Sequence, residues 1–215
     1  MAKNQKWHDD YWLPLMQVYL RKPVGLKPMY SRGLVDLSLE LHIAPQELYV
    51  RQCAIANLQT PRIERLWQEY GQSPKRLSRA VALLRQMTGF NSGGNFYDGV
   101  AVEETFERDF RPLAEDERLK PVMLVMVLDL YFRLTPITMV AETPEVQELA
   151  RLMHIPVQLV VDIMDVYQHC DPYLNRRDVV FSPLLLPCHQ TWQRYGNMEP
   201  QQLAAYAKEL KEYFA

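Results

Sequence analysis

The residue pattern predicts an all-α protein, a tandem internal duplication of helical units that each contain a helix-turn-helix-like pair. Three observations carry this prediction. Apolar residues recur at the helical period of 3.6, an ordered series of residues returns in the second half, and a glycine-rich stretch stands where the charge changes sign. Half of the eight glycines (Gly89, Gly93, Gly94 and Gly99) surround the run FNSGGNF, the composition of a loop or linker. Residues 1–89 carry 13 Lys+Arg against 7 Asp+Glu, a net of +6, whereas residues 90–215 carry 11 against 19, a net of −8. The total of −2 conceals that split. Three parts follow: a basic helical copy at 1–89, a Gly-rich linker with an acidic segment at 90–119, and an acidic helical copy at 120–215.

The repeat is read from position. Tyr19-Leu-Arg21 returns as Tyr131-Phe-Arg133 and His42-Ile43 as His154-Ile155, with Asp36-Leu37, Gln46 and Leu48 over Glu148-Leu149, Gln158 and Val160. Further on, the Trp67-to-Gly71 run WQEYG returns as WQRYG at Trp192–Gly196 with a larger offset, which locates an insertion in the second copy within Cys170–Pro187. Beyond it Pro74, Leu77, Val81 and Leu84 lie over Pro200, Leu203, Ala207 and Leu210. A series kept in order with one main insertion marks a repeat.

In chain order, Leu37, Ser38, Leu41, Ile43 and Leu48 occupy the apolar or small positions of a helix-turn-helix, which needs a small residue where its helices cross. His42 takes the turn, since histidine tolerates positive φ better than most residues. Pro45 suits the first turn of the next helix. The helix holding Trp67 is expected to stop at a left-handed Gly71. Ser73-Pro74 is a start signal, an N-cap followed by proline at the first helical position. Leu77, Ala80, Val81, Leu84 and Met87 then form an apolar stripe. Strand character is confined to Gly99–Phe106 and Asp178–Leu186. Val122–Leu134 is apolar nearly all round, the mark of a buried helix. Asp129 interrupts it, with Arg133 at i+4 as its expected partner. Leu149, Ala150, Met153, Ile155, Val160 and Ile163 repeat the helix-turn-helix, with His154 at the turn and Pro156 after it. Trp67 and Trp192 are expected to anchor the core, Gly196 to end the second Trp helix, and each copy to hold about five helices.

Composition bounds the class. Of 215 residues 48% are hydrophobic and 23% charged, which excludes a disordered, collagen-like or disulfide-stapled chain. Three widely spaced cysteines, Cys53, Cys170 and Cys188, fit a reduced, cytoplasmic protein. The start, MAKNQKWHDDYW, has no apolar stretch after its lysines, so no secretory signal is expected. The longest apolar run contains Asp129 and Arg133 and is too short for a bilayer, so no membrane partner is expected.

The helix-turn-helix shape lacks its usual chemistry. A DNA-reading helix presents basic and amide side chains to base edges and phosphates. Pro156–Tyr167 offers Gln158, Asp162 and Asp165, whose carboxylates repel phosphate, and Ala44–Ala56 offers Gln46, Glu47, Arg51 and Gln52, neutral overall. One basic feature remains. Lys75, Arg76, Arg79 and Arg85 lie off the apolar stripe of the Pro74–Met87 helix, and Arg62 and Arg65 lie just before it. The matching positions in the second copy are Gln201, Gln202, Ala205 and Lys211, so the basicity belongs to one copy. These six residues are either a solvated helix face or a partner-binding surface; an acidic protein partner suits them, and nucleic acid less well.

The run LDLYFRLTPITMVAETPE, with CDPYLNRRD and WQRYG, resembles an uncharacterised family of conserved bacterial helical proteins of the Bacteroides type. The resemblance spans nearly the whole chain. It implies a bacterial cytosolic protein and supplies no activity, substrate or site residue.

No other constellation carries chemistry. His169-Cys170 and Cys188-His189 are adjacent pairs, whereas structural zinc ligands stand two to four residues apart, so no metal or cofactor is expected. No spacing aims a histidine at a thiol as a nucleophile's base. His42 and His154 read as turn residues, and EETFERDF at Glu103–Phe110 as a solvated helix end. A phosphate loop, HExxH and GxSxG are all lacking, and no catalytic residue is assigned. The expected function is a non-enzymatic protein-interaction or regulatory module on degenerate tandem helix-turn-helix-like units. The alternatives are a DNA-binding transcriptional regulator using the basic first copy, and an enzyme or small-ligand receptor with a site between the copies.

Overall fold

In the computed structural model, which describes residues 7–87, 90, 106–174 and 181–215, all regular structure among the described residues is helical. The chain divides into two compact units, Met1–Glu103 and Glu104–Ala215. In the first, a 3₁₀ turn at Asp9–Tyr11 leads into α1 (Trp12–Leu20), followed by α2 (Arg32–Leu41), α3 (Pro45–Ala56), α4 (Pro61–Tyr70) and α5 (Pro74–Gln86). The second holds α6 (Phe106–Phe110), α7 (Pro121–Arg133), a 3₁₀ turn at Pro136–Thr138, α8 (Pro144–Met153), α9 (Val157–Cys170), α10 (Leu185–Tyr195) and α11 (Pro200–Lys211). Proline opens α3, α4, α5, α7, α8 and α11, where its missing N–H costs no hydrogen bond. At α4, Thr60 adds a side-chain cap, its hydroxyl accepting the Ile63 N–H at 3.3 Å.

In each unit one helix packs against several of the others. α1 buries Leu15 and Met16 completely and packs against α5, α2 and α3. α7 buries every residue from Val122 to Tyr131 and packs against α11, α9, α10 and α8, so its all-round apolar surface meets protein on every side. Asp129, only 6% exposed, receives a hydrogen bond from Arg133 at 2.9 Å, the i+4 pair its spacing predicts.

Where each pair is expected, two helices meet at a left-handed residue. α2 and α8 are ten residues each and end on left-handed histidines, His42 at φ 54° and ψ 36°, His154 at φ 57° and ψ 38°. The next N–H folds back in each case, Ile43 to the Ser38 carbonyl at 3.2 Å and Ile155 to the Ala150 carbonyl at 3.1 Å. Ser38 and Ala150 are fully buried at the helix crossings, and the Ser38 hydroxyl donates to the Ile43 carbonyl. The two units also place one ring contact alike: Tyr19 meets Trp67 edge-on at 6.0 Å, and Tyr131 meets Trp192 at 5.8 Å.

Four expectations are corrected. Gly71 and Gly196 are right-handed, at φ −56° and −63°. What demands glycine is closeness rather than handedness: a Cβ at either site would lie 2.6 Å from the carbonyl oxygen of Trp67 or Trp192. Trp67 and Trp192 are half-buried, resting on the edge of each core instead of filling it. The strand expected up to Phe106 ends in α6, and the one expected up to Leu186 runs into α10, with residues 181–184 irregular; positions 99–105 and 178–180 lie outside the described residues. The described part of the acidic segment, from Phe106 on, is not simply solvated: Phe110 and Leu119 are buried, and Asp109 accepts two hydrogen bonds from Arg194 at 2.8 and 3.2 Å, while the Gly-rich stretch at 91–105 lies outside the described residues.

The left-handed turns give a direct test. A β-carbon in this conformation costs about 1–2 kcal/mol, more than glycine's extra entropy. His154→Gly is therefore expected to raise the unfolding free energy by about 0.5–1 kcal/mol, and His154→Val to lower it by more than about 1 kcal/mol. Urea denaturation of the two variants reads both signs.

Candidate partner-binding face

The basic residues are distributed by the geometry of α4 and α5. Leu77, Val81 and Leu84 turn inward on α5 and are buried, while Lys75, Arg76, Arg79 and Arg85 are exposed. At 100° per residue Lys75 and Arg79 fall opposite the buried stripe, and Arg76 and Arg85 fall on its two flanks. The flanking pair is used inside the unit. Arg76 donates to Glu69 of α4 at 2.8 Å, and Arg85 grips Glu40 of α2 with two hydrogen bonds at 2.6 and 2.7 Å. The hydrogen bonds it donates to Glu40 hold the Arg85 guanidinium above its ordinary pKa. Gln17 of α1 donates to Ser78 at 3.2 Å, tying α5 on a further side. Among the described residues neither Lys75 nor Arg79 has a hydrogen-bond or ion-pair partner.

Arg62 and Arg65 are exposed on α4. With Leu13, Leu66, Glu69 and Tyr70 they line a depression of about 350 Å³, open to solvent. Arg65 Nε donates to the Pro61 carbonyl at 3.3 Å. Glu69, which also lines it, is the carboxylate that takes Arg76, while Lys75 and Arg79 stand on the outer ridge of α5.

Two residues on this ridge escaped the sequence reading. Leu83 is 64% exposed and Met87 is 62% exposed. Met87, expected in the inward stripe, is instead the C-cap of α5 and is exposed. Leu83 carried a signal: it lies four residues after Arg79 and next to buried Leu84, hence off the apolar stripe.

The second helices of the two pairs are engaged with themselves. On α3, Arg51 donates to Glu47 at 2.7 Å and its guanidinium lies 4.0 Å over the Trp7 ring. On α9, Gln158 donates to Asp162 at 2.9 Å, and Asp165 is exposed beside them. Partitioned at the boundary between the compact units, Met1–Glu103 carries 13 Lys+Arg and 9 Asp+Glu, a net of +4, and Glu104–Ala215 carries 11 and 17, a net of −6.

The three cysteines are free thiols. Burial pushes the Cys170 thiol up to about 11. Cys188, fully buried, is raised further by burial and by the charge of an ionised Cys170. Among the described residues no group of three His, Cys, Asp or Glu side chains converges to hold a metal, and no helix is long and apolar enough to cross a membrane. No family model, curated protein or solved structure matches the chain.

Three measurements follow from this geometry. Arg85→Glu sets a second carboxylate against Glu40 and is expected to lower stability by about 1 kcal/mol, the scale of a solvent-screened pair; Lys75→Glu is expected to stay within about 0.5 kcal/mol of the parent chain. Parallel denaturation curves separate the two. The thiols set a pH dependence: Cys170 ionises near 11 when folded and nearer 9 when unfolded. Its contribution to stability is whole below about pH 9 and is lost as pH rises through 11. Ellman's reagent at pH 8 is expected to leave Cys188 unmodified until denaturant is added.

Proposed function

We propose that the chain is a non-enzymatic protein-interaction or regulatory module, whose first unit presents the outer face of α5 to an acidic protein partner. The observation that carries this reading is the division of labour on α5. Arg76 and Arg85 hold the helix in place, while Lys75 and Arg79 face outward on an anchored surface among exposed residues. Side chains that serve the fold are paired; these two are spare. Opposite charges presented on a fixed face favour encounter with a complementary partner and set its orientation. Arg62 and Arg65 extend the positive surface along α4.

The module reads as a tandem duplication. Supporting this are the two left-handed histidines after ten-residue helices, the same backward N–H at each turn, the matched Tyr–Trp contacts, and the packing of α1 with α2, α3 and α5 as α7 packs with α8, α9 and α11. Between α4 and α10 the likeness is weaker, since α4 packs on α5 and α10 on α7 and α9. A reducing cytosol suits the three free thiols.

Reversal of the outer cations tests the interaction. Lys75→Glu with Arg79→Glu is expected to weaken binding to a poly-glutamate column, so that the variant elutes at lower salt, with the helical circular dichroism unchanged because exposed charges contribute little to stability. Elution at the parent's salt concentration would remove the reading.

A further inference from the structure

We infer that the ridge Lys75–Arg79–Leu83–Met87 docks an amphipathic helix of the partner, one with carboxylates at one end of its contact stripe and large apolar side chains at the other. This rests on the interaction reading above and specifies its partner. Residues four apart on a helix form one continuous ridge, the element that seats in the groove of a second helix. Here the ridge is graded: two exposed cations occupy its first turns, and two exposed apolar side chains, 64% and 62% accessible, occupy its last. From Lys75 to Met87 it spans about 18 Å, the length of a partner helix of about twelve residues.

The gradient discriminates among partners. A phosphate backbone rewards cations along its whole length, and Leu83 and Met87 would gain nothing against it. A lipid surface is met by apolar side chains set inside a basic collar, whereas these stand at one end of the line. A helix with acid at one end and apolar bulk at the other matches both halves. Anchoring also favours docking, because Arg76, Arg85 and Ser78 already fix α5 and little order remains to be imposed on binding.

The second unit supplies an internal comparison. α11 keeps the inward stripe, with Leu203, Ala207 and Leu210 all buried as Leu77, Val81 and Leu84 are. Along the ridge it has instead Gln201, Ala205 and Glu209, followed by Tyr213, which is buried. What packing requires is present in both helices; the graded ridge is present in one.

The experiment is a selection from a phage-displayed library of 16-residue helical peptides on the full chain, with Kd values then measured by fluorescence anisotropy. The expected consensus has Asp or Glu at two positions four apart, followed or preceded at the same spacing by Leu, Ile, Met or Phe. Lys75→Glu with Arg79→Glu is expected to weaken the best peptide at least tenfold, and exchanging that peptide's acids for Lys is expected to restore binding to this variant. Leu83→Ser with Met87→Ser is expected to weaken it about tenfold as well. If the serine pair leaves affinity unchanged while the glutamate pair abolishes it, the helix-docking inference fails and the acidic-partner reading stands. If neither pair changes affinity, both fail. A chain that selects no acidic consensus, yet binds duplex DNA or phosphatidylserine vesicles through Lys75 and Arg79, overturns the inference in favour of that ligand.

Discussion

A helix buried on every side can exist only if other helices surround it, and this requirement organises the second unit. From Val122 to Tyr131, α7 offers no residue to solvent. Each large apolar side chain there contributes roughly 1.5–3 kcal/mol by leaving water, but only when α8, α9, α10 and α11 are all in place. None of those four is apolar all round; each buries a stripe and leaves a polar face. Their amphipathic patterns are the complement of α7's lack of one. Asp129 fits the same logic. A carboxylate in such a helix must keep a partner, and Arg133 reaches it from the exposed end of the helix while its own guanidinium stays in contact with water.

Surrounding a helix also requires the chain to turn sharply between neighbours. At His42 and His154 it does so within one left-handed residue, after which the backbone closes on the carbonyl five positions earlier. The close crossing admits only a small side chain, and Ser38 and Ala150 fill those places. Serine brings a hydroxyl into the core and spends it on the Ile43 carbonyl, so the polar atom at the first crossing has a partner. Turn and small residue act together: one sets the direction of the next helix and the other sets how near it lies.

This is why those features were legible in the sequence. Turn histidine, small residue and apolar positions lie within about a dozen residues of one another, and the all-round apolar run needs no knowledge of its surroundings. Gly71 and Gly196 were legible as necessary but not in their reason, because left-handedness and close approach ask for the same residue. Local pattern was silent where partners come from afar. Glu69 takes Arg76 across a turn, Glu40 takes Arg85 from 45 residues away, and Arg194 takes Asp109 from 85. The sequence therefore places six cations together without showing which of them are paired. Phe110 and Leu119 belong to no periodic stripe, so their burial within the acidic segment left no local signal.

Pairing changes what a partner can sense. An arginine held at 2.6 Å by a carboxylate forms a dipole, and its field falls off faster with distance than that of a lone charge. At physiological salt a lone charge is felt over about 8 Å, so it is the cations without an internal carboxylate that steer an approaching acidic helix. Steering alone does not discriminate, because any acidic surface answers it. Leu83 and Met87 add a contact that is felt only after water is excluded, and it rewards a partner whose apolar residues arrive in register with its acids. In the proposed docking the cations govern the rate of encounter, and the apolar end of the ridge governs how long the partner remains.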